Sequence, residues 1–391
     1  MQIIKPLFSI INAYTALGLY LFSKKKKDIW LIGGHAGNLY TDNAKVFYEY
    51  ILEEHPHINI YWIVNKDAPH IDKIKGNKLI KGSIKSYHYF YHSKVILFSD
   101  TLNSDIAPFS FVLPIVRMFY NKTQKVYLGH GTISFKKMPT FTGIKQIIKT
   151  KIFQSYDLAI AATELEVRVM AENYGIKKSA IALAGSARND KLINQISTPD
   201  IILIAPTWRT WIKGSETLKN TTFFHHYKAL LTDKKLYDFL EKHNTYIHFY
   251  LHHMFHKYID EFTLLQNKYI HILHKDADIS KEITSSHMLI TDYSSICSDF
   301  YYLKKPVLFY QFDKKEYLEK VGSEIDLNNT IFGSITYNKK SLLKNLFLTI
   351  HRNYEVTLMQ EEGNKFFNYF KDTNNCKRIF NEIMKRRYSK G

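Results

Sequence analysis

Two histidines stand directly after apolar segments of the kind that forms buried strands. His130 follows Val126–Leu128 and has a glycine on either side, and His252 follows Ile247–Leu251. An imidazole exchanges protons near neutral pH, and small neighbours let a substrate hydroxyl approach it closely. His130 is therefore a candidate general base, and His252 is a candidate for contacting phosphate or handling a proton. The plainer alternatives are a turn histidine and a solvated histidine at the start of a helix.

Another segment of this kind, Ile201–Ala205, is followed by Thr207 and Arg209. The planar guanidinium group of an arginine donates two parallel hydrogen bonds to a phosphate group, and at a strand end it would be well placed to do so. We therefore expect Arg209 to contact phosphate. The alternative is an ordinary surface arginine.

A third segment, Met288–Ile290, leads to two serines and a predicted helix over Ile296–Leu303. The first turn of a helix has free backbone N–H groups and the positive end of the helix dipole, and both favour an anion. Ser294 and Ser295 at this position indicate a phosphate-binding turn, and Asp299 lies in the helix that follows. The alternative, that the serines simply cap the helix, is compatible with that role.

Other short signals are weaker. The glycine-rich segment Gly33–Gly37 does not match the dinucleotide-binding pattern GxGxxG, and the sequence contains neither a P-loop nor a nucleophile elbow. The segment Gly185–Asp190 closes the first half of the chain. There, Asn189 and Asp190 could cap a following helix, or Arg188 could point into a cleft between domains.

Metal sites and disulfides are not indicated by the sequence. Cys297 and Cys376 are far apart and form no CxxC pair, so we expect no disulfide framework and a reducing compartment. His252, His253 and His256 have no carboxylate or thiol nearby to complete a ligand set, which predicts no metal site.

These candidates need a scaffold that brings strand ends together, and the apolar pattern provides one. Short β-branched segments alternate with amphipathic stretches, which is typical of parallel sheets covered by helices. The predicted strands are Ile29–Ile32, Ile60–Val64, Val95–Phe98, Val126–Leu128, Leu158–Ala161, Ala180–Leu183, Ile201–Ala205, Ile247–Leu251, Ile270–Leu273, Met288–Thr291 and Val307–Tyr310. Their division near residues 194–200 predicts two doubly wound α/β domains, in which ligands bind beyond the carboxyl ends of the strands.

The composition restricts the kind of partner. The chain has 391 residues and a formal net charge of +18, and its hydrophobic fraction of 45% excludes a largely disordered chain. The positive charge predicts an anionic partner, such as a phosphorylated polymer, an anionic membrane or a nucleic acid. The sequence contains no helix-turn-helix, RNP or zinc-finger pattern, so we predict no nucleic-acid partner.

The N-terminal stretch Pro6–Ser23 contains no charged residue and is followed by Lys24–Lys27. Its length is at the short limit for spanning a bilayer, and residues such as Ser9 and Asn12 make it more polar. We expect residues 1–27 to associate with an anionic membrane as an interfacial helix anchored by the lysines. The alternatives are a true membrane span and an ordinary packed helix.

In their chain order, the motifs resemble the CDP-glycerol glycerophosphotransferase family, which comprises teichoic-acid primases and polymerases and their capsule relatives. The segments that carry the resemblance are Leu128–Thr132, Gly185–Asp190, Ile204–Arg209, Leu251–His252 and Ile290–Ser295, together with Asp299, Lys305–Pro306, Phe309–Tyr310, Asp313, Tyr317 and Tyr40–Asn43. The resemblance extends over roughly residues 28 to 375. Two positions depart from the usual pattern: Ala187 replaces a proline, and His253 follows His252 where proline or tyrosine is common.

The resemblance implies a role for each candidate residue. His130 corresponds to the histidine proposed as the base, and His252 corresponds to a second essential histidine near the donor diphosphate. The positions that fall where the family holds the donor and its phosphates are Arg209, Thr207, Ser294, Ser295 and Asp299. The positions implied to line the acceptor site or the cleft are Gly129, Gly131, Thr132, Arg188 and Asp190.

The resemblance also implies a GT-B-like enzyme with two Rossmann-like domains and an active site in the cleft between them. Residues 28–195 would bind the acceptor, and residues 196–391, including the C-terminal helices, would bind the donor. The reaction would move glycerol phosphate, or a related polyol phosphate, from CDP-glycerol or another CDP-polyol to a hydroxyl of a lipid-linked glycan or polyol-phosphate polymer, and release CMP. We expect a peripheral enzyme at the cytoplasmic face of the cell membrane, with no required cofactor and with Mg²⁺ as an open option.

Several alternatives stay open from the sequence. A GT-B glycosyltransferase that uses a nucleotide sugar for capsule or lipopolysaccharide synthesis would share the fold. A basic membrane-surface or nucleic-acid-binding protein without catalysis would share the charge. The residues do not separate CDP-glycerol from CDP-ribitol, or teichoic acid from capsule. Neither do they separate a primase from a polymerase, although the lack of a further N-terminal domain favours a primase-like enzyme.

Overall fold

The computed structural model describes residues 4–24, 28–69, 71–108, 114–133, 135–137, 156–274 and 277–388. The chain divides into two units. The first comprises Met1–Gly131, Pro139–Lys191 and Tyr369–Gly391, and the second comprises Thr132–Met138 and Leu192–Asn368, so far as these residues are described. The lysines 25–27 of the predicted basic anchor lie outside the described residues.

The first unit is built on a seven-stranded parallel sheet. Its strands are β1 (Ile29–Gly33), β2 (Asn59–Val64), β3 (Lys78–Ile80), β4 (Ser93–Phe98), β5 (Gln124–Tyr127), β6 (Leu158–Ala161) and β7 (Ile181–Leu183). Its helices are α1 (Ile4–Leu21), α2 (Asp42–Glu54), α3 (Ile84–His92), α4 (Leu102–Asp105), α5 (Pro114–Lys122), α6 (Glu164–Glu172) and, from the C-terminal segment, α16 (Asn375–Tyr388). The strand order is β3-β2-β1-β4-β5-β6-β7, so the order reverses between β1 and β4. In open parallel sheets this is where ligands bind.

The second unit contains a six-stranded parallel sheet. Its strands are β8 (Asp200–Ile204), β9 (Thr245–Phe249), β10 (Ile270–Ile272), β11 (Met288–Thr291), β12 (Val307–Tyr310) and β13 (Ser334–Thr336). Its helices are α7 (Ser215–Lys219), α8 (Thr222–Leu231), α9 (Lys234–His243), α10 (Ile259–Thr263), α11 (Ile279–Ser285), α12 (Cys297–Tyr302), α13 (Lys314–Lys320), α14 (Lys339–His351) and α15 (Leu358–Phe367). The order β10-β9-β8-β11-β12-β13 reverses between β8 and β11.

The prediction of two doubly wound parallel-sheet domains is confirmed. The central strands are apolar because both of their faces are covered, and all five residues of β1 are buried. The same holds for β11 and β12 in the second unit.

The C-terminal helix α16 belongs to the first unit, whereas the sequence placed every residue from 196 onward in the second domain. Asp190 explains the difference. Its carboxylate accepts hydrogen bonds from the backbone N–H groups of Asn375 at 2.9 Å and of Cys376 at 2.7 Å, and so caps the first turn of α16. The buried side chains of Ile379 and Ile383 then pack into the core of the first unit.

The N-terminal helix α1 packs on α3 through small and polar side chains. Ala13 and Ala16 are fully buried, the hydroxyls of Ser9 and Tyr87 are 2.8 Å apart, and the Tyr91 hydroxyl donates to the carbonyl of Ala13 at 2.9 Å. Among the described residues, no helix combines the length and the apolar character that crossing a bilayer would require.

Candidate active site

Three chain segments of the first unit bring polar side chains to the point where the strand order reverses. The neighbouring strands β1, β4 and β5 lead to His35, Asp100 and His130, respectively. Nδ1 of His130 lies 2.8 Å from Oδ1 of Asp100 and 3.4 Å from the carbonyl oxygen of Ser99. Because Nδ1 is engaged in this way, Nε2 is the nitrogen that can exchange a proton with a substrate.

The carboxylate of Asp100 also sets the charge of the imidazole. Its hydrogen bond raises the pKa of His130 to about 9, against the lowering effect of burial. At pH 7 only about 1% of the rings would then be neutral, because each pH step below the pKa is a factor of ten. The protonated ring therefore predominates near neutral pH, and the neutral ring that acts as the base is a stronger base than a free histidine.

The backbone on both sides of His130 requires glycine. Gly129 has φ = +67° and Gly131 has φ = +62°, in the left-handed region that side chains disfavour. The sequence suggested that these glycines leave room for a substrate. The structure adds a conformational reason: two left-handed residues turn the chain sharply, so that the imidazole stands at the tip of the turn, where half of its side-chain surface is exposed.

A buried asparagine that the sequence analysis did not assign holds this turn in place. The Nδ2 group of Asn43, in the first turn of α2, is 3.4 Å from the carbonyl oxygen of Leu128 and 3.3 Å from that of Gly129. Its Oδ1 accepts hydrogen bonds from the Ser186 hydroxyl at 2.7 Å and from the backbone N–H of Arg188 at 3.1 Å. Asn43 therefore joins the segment that carries His130 to the segment that follows β7.

The predicted cleft-lining residues have different surroundings. Arg188 is close to the His130 turn, with its Nη1 3.3 Å from Asp42 Oδ1. Asp190 caps α16 instead, so its prediction as a cleft-lining residue is not supported by its contacts. Thr132 belongs to the second unit, where its hydroxyl lies 3.2 Å from that of Ser298.

In the second unit, the structure corrects the role predicted for Arg209. This side chain has no exposed surface, and its guanidinium contacts protein groups rather than an open site. Nε and Nη2 donate to the two carboxylate oxygens of Asp313 at 2.8 and 3.0 Å, and Nη2 also lies 2.9 Å from Oδ2 of Asp292. Nη1 donates to the carbonyl oxygen of Thr207 at 2.6 Å. A sequence pattern alone cannot reveal this burial, because a strand-end arginine fits either situation.

This network connects the three segments that follow β8, β11 and β12. Asp292 accepts a hydrogen bond from the backbone N–H of Thr207 at 2.9 Å, and the Tyr293 hydroxyl donates to Asp313 at 3.0 Å. The rings of Tyr293 and Tyr317 stack with centroids 3.9 Å apart, close to the buried guanidinium. Thr207 thus contributes backbone groups to the network.

The two serines predicted to bind phosphate are half-buried and lie just before α12. Within the part of the chain that the structure describes, the hydroxyl of Ser294 makes one long contact, 3.4 Å, with the backbone N–H of Ile296, and α12 has no side-chain cap. The serines are therefore not strong helix caps. Asp299, predicted to reach the donor, lies within α12 and is only 4% exposed, so its carboxylate does not face an open surface.

His252, which follows β9, lies against Trp208, which follows β8. The two rings are nearly parallel, at 14°, with centroids 6.0 Å apart. Trp208 is a second residue that the sequence analysis quoted without assigning a role. No group of three or more His, Cys, Asp or Glu side chains among the described residues has an arrangement that could hold a metal ion.

Residues 14–385 match the family described as CDP-glycerol:poly(glycerophosphate) glycerophosphotransferase. The chain belongs to this family. The resemblance inferred from the motifs is thereby confirmed, and so is the prediction that the protein is an enzyme of this type.

Two curated relatives of this chain come from Bacillus subtilis (strain 168). The minor teichoic acid biosynthesis protein GgaB is 27% identical over 92% of this chain, and the chain spans 40% of the length of GgaB. The teichoic acid glycerol-phosphate primase is 24% identical over 88% of this chain and 83% of its own length.

The solved structures similar to this chain include that of the wall teichoic acid polymerase TagF. It matches all of this chain and 98% of its own chain, with a TM-score of 0.71 and 19% identity. A UDP-N-acetylglucosamine 2-epimerase from Listeria monocytogenes matches 94% of this chain and 98% of its own, with a TM-score of 0.57 and 16% identity. At these identities, the likeness concerns the fold.

Proposed function

We propose that this chain transfers glycerol phosphate, or a related polyol phosphate, from a CDP-activated donor to a hydroxyl group of a membrane-linked glycan or a growing polyol-phosphate polymer. The observation that carries this proposal is the pairing of His130 with Asp100 at the strand-order reversal of a chain that belongs to this family. The donor class is supported by the family description and by a TagF variant soaked with CDPG.

The proposed reaction is a displacement at the β-phosphorus of the donor. Nε2 of His130, once deprotonated, takes the proton of the acceptor hydroxyl while the hydroxyl oxygen forms a bond to phosphorus. The bond from that phosphorus to the bridging oxygen breaks, and CMP leaves with the electron pair. Asp100 stabilises the imidazolium that forms, as a carboxylate does in other His–Asp pairs. General-base assistance of this kind contributes ~10²–10⁴-fold to the rate.

The second unit is the proposed donor-binding unit. Ser294 and Ser295 offer hydroxyl groups next to the backbone N–H groups at the start of α12, and hydrogen bonds to charged phosphate oxygens are among the stronger ones in proteins. His252 is the proposed second phosphate-contacting group. The Arg209 network, being fully buried, would act by fixing the segments that present these groups.

We propose that the protein needs no metal ion or cofactor bound by its own side chains. Mg²⁺ would then enter only as a counterion carried by the donor diphosphate. Adding a chelator to purified enzyme with defined Mg²⁺ levels tests this point directly, since a donor-borne ion would change the apparent KM for the donor in proportion to its occupancy.

We further propose that α1 attaches the enzyme to the cytoplasmic face of the membrane. One side of α1 is held against α3, while Phe8, Ile11 and Leu19 of α1, and Phe22 just beyond its end, are exposed to between 51% and 94%. The spacing of the three helical residues places them on one side of α1. An apolar stripe of this kind, on a chain with a net charge of +18, suits an anionic bilayer that also holds the lipid-linked acceptor.

The deciding experiment measures CMP release by the purified protein with a panel of CDP-alditols, followed by analysis of the linkage in the product. Phosphodiester linkages support the proposal. A glycoside formed from a nucleotide sugar would support the GT-B glycosyltransferase alternative instead. His130→Ala should lower turnover by ~10²-fold or more with little change in donor affinity, whereas His57→Ala, an exposed histidine of the same unit, serves as the matched control.

A further inference from the structure

The first residue of α2, Asp42, has an unusual backbone conformation. Its φ of +62° lies in the left-handed region, which is uncommon for residues other than glycine, asparagine and aspartate. Such conformations persist only where the surrounding contacts impose them, and they concentrate at functional sites. The contacts of the Asp42 carboxylate show which part of the site this conformation serves.

The carboxylate of Asp42 reaches the turn that carries the proposed base. Oδ2 accepts a hydrogen bond from the backbone N–H of Gly131 at 3.2 Å, and Oδ1 lies 3.3 Å from Nη1 of Arg188. The simplest explanation for an aspartate at a helix start is helix capping. Oδ1 does accept a hydrogen bond from the adjacent backbone N–H of Asn43 at 2.8 Å. Oδ2, however, bonds to Gly131, the residue that follows His130, and capping does not explain that contact.

Three titratable groups from other segments face the imidazole of His130. Asp100 approaches from the segment after β4, Asp42 from α2, and His35 from the segment after β1, with its ring centroid 5.8 Å from that of His130. Arg188 acts through Asp42, and Nε2 of His35 is 3.9 Å from Oδ2 of Asp42. Burial raises the pKa of Asp42, but Arg188, His35 and His130 outweigh this effect and hold it below the usual value.

We propose that Asp42 is a positioning residue for His130, which fixes the backbone behind the histidine and faces it with a second negative charge. That charge favours the imidazolium that forms when the acceptor hydroxyl gives up its proton. Arg188 offsets part of the charge and so limits its effect. The kinetic consequence rests on the proposed function of His130, whereas the electrostatic coupling is a property of the folded chain alone.

The variant Asp42→Asn tests the effect of the negative charge separately from that of the backbone conformation and the hydrogen bond. Asparagine tolerates the left-handed backbone and keeps an oxygen that can accept the hydrogen bond from Gly131. In the full-length protein with ¹³C-labelled histidine, the NMR titration of His130, assigned with His130→Ala, should shift to lower pH by roughly 0.5 to 1 in Asp42→Asn. At a pH above the pKa of His130, where the ring is neutral in both proteins, turnover should fall by roughly 3- to 10-fold with little change in the KM for the donor, because the imidazolium that forms is less stabilised. Arg188→Gln should shift the same titration to higher pH.

Two comparisons make the result decisive. Asp72→Asn, the same exchange at an exposed position of the same unit, should leave both the titration and turnover unchanged. Asp42→Gly suits the left-handed backbone but removes the hydrogen bond to Gly131 together with the charge, so its turnover should fall further than that of Asp42→Asn. An unchanged His130 titration in Asp42→Asn, or wild-type turnover in that variant above the pKa of His130, would overturn the proposal. If His130→Ala itself kept full turnover, the proposed function would fail, yet the NMR titration would still decide the coupling.

Discussion

Asp313 receives both hydrogen bonds of a bidentate pair from Arg209, at 2.8 and 3.0 Å, and neither side chain is more than 3% exposed. Asp292 lies on the same guanidinium at 2.9 Å. One cation thus faces two buried carboxylates, and each of the three residues ends up on a different segment at the carboxyl edge of the sheet. We expect this buried ion pair to fix the shape of the proposed donor site, because it joins the segments that would form it.

If the buried pair has this role, substitutions of Arg209 or Asp313 should change the stability of the protein and its affinity for nucleotide together. Arg209→Lys keeps the charge but cannot reproduce the two parallel hydrogen bonds, and Asp313→Asn removes one carboxylate. Removing one partner of a buried ion pair costs about 3–5 kcal/mol. We therefore expect both variants to lower the melting temperature and the affinity for CDP in parallel, measured by calorimetry. Arg352→Lys, at an exposed arginine, is the control. Weaker CDP binding by Arg209→Lys at an unchanged melting temperature would instead identify Arg209 as a direct phosphate ligand.

The His130–Asp100 pair predicts a distinctive pH profile. Because the pKa of His130 is raised to about 9, the neutral base accumulates only as the pH rises toward 9, and kcat/KM should rise with it. Asp100→Asn removes the hydrogen bond and charge that cause this shift, so its profile should level off at a lower pH, nearer the ordinary histidine value of about 6.5. Its maximal rate should still be ~10²–10⁴-fold lower, because the ring loses its orientation and its imidazolium is less stabilised. Identical profiles for the two proteins would remove Asp100 from the mechanism.

The fold could be predicted from the sequence because the strands of a parallel sheet are continuous apolar segments, and each predicted strand is present in the structure. The strands β3 and β13, of three residues each, were not predicted. Each has a single buried residue, Leu79 in β3 and Thr336 in β13, so neither forms an apolar segment in the sequence. The assignment of α16 to the first unit could not be predicted either, because it depends on the cap that Asp190, distant in the sequence, provides.

The candidate site was predictable to a lesser extent. His130 could be recognised by its glycines and its place after a strand. Asp100 could not, since the sequence does not show that the segments after β4 and β5 meet. Arg209 was expected to contact phosphate because a guanidinium group at a strand end is suited to that role. The positions of Asp292 and Asp313 in the structure reveal that it forms a buried ion pair instead. Residue type and strand-end position identify a candidate, but long-range partners decide its role.

The exposed stripe of α1 predicts membrane binding that depends on apolar side chains. In the full-length protein, Phe8→Glu combined with Phe22→Glu should weaken the affinity for phosphatidylglycerol vesicles, measured by sedimentation, by ~10²–10⁴-fold, because each phenylalanine buried in the bilayer contributes about 1.5–3 kcal/mol. Activity on a soluble acceptor should be unaffected. The control is Leu264→Glu, an 82% exposed leucine of the second unit. Equal sedimentation of the variant and the wild type would show that α1 does not mediate membrane attachment.

Replacing the two serines before α12 tests whether this turn binds the donor or has only a structural role. If Ser294 and Ser295 donate to the diphosphate, replacing both by alanine removes side-chain bonds to charged oxygens and leaves the backbone donors, a loss of about 1–3 kcal/mol. The affinity for CDP and for CDP-glycerol should then fall about equally, by ~5–150-fold, while acceptor binding stays nearly unchanged.

Helix capping predicts a different result for the same double variant, namely a lower melting temperature with unchanged nucleotide affinity. The structure makes that outcome less favourable from the start, because the capping contact found among the residues it describes is a long one, the 3.4 Å approach of the Ser294 hydroxyl to the backbone N–H of Ile296. Calorimetric titration of CDP, together with thermal unfolding, measures both quantities on the same samples. Ser341→Ala, which removes a serine from the first turn of α14, controls for the loss of a hydroxyl near a helix start. Unchanged CDP affinity in the double variant would rule out these serines as the donor's phosphate contacts, and with them this placement of the donor.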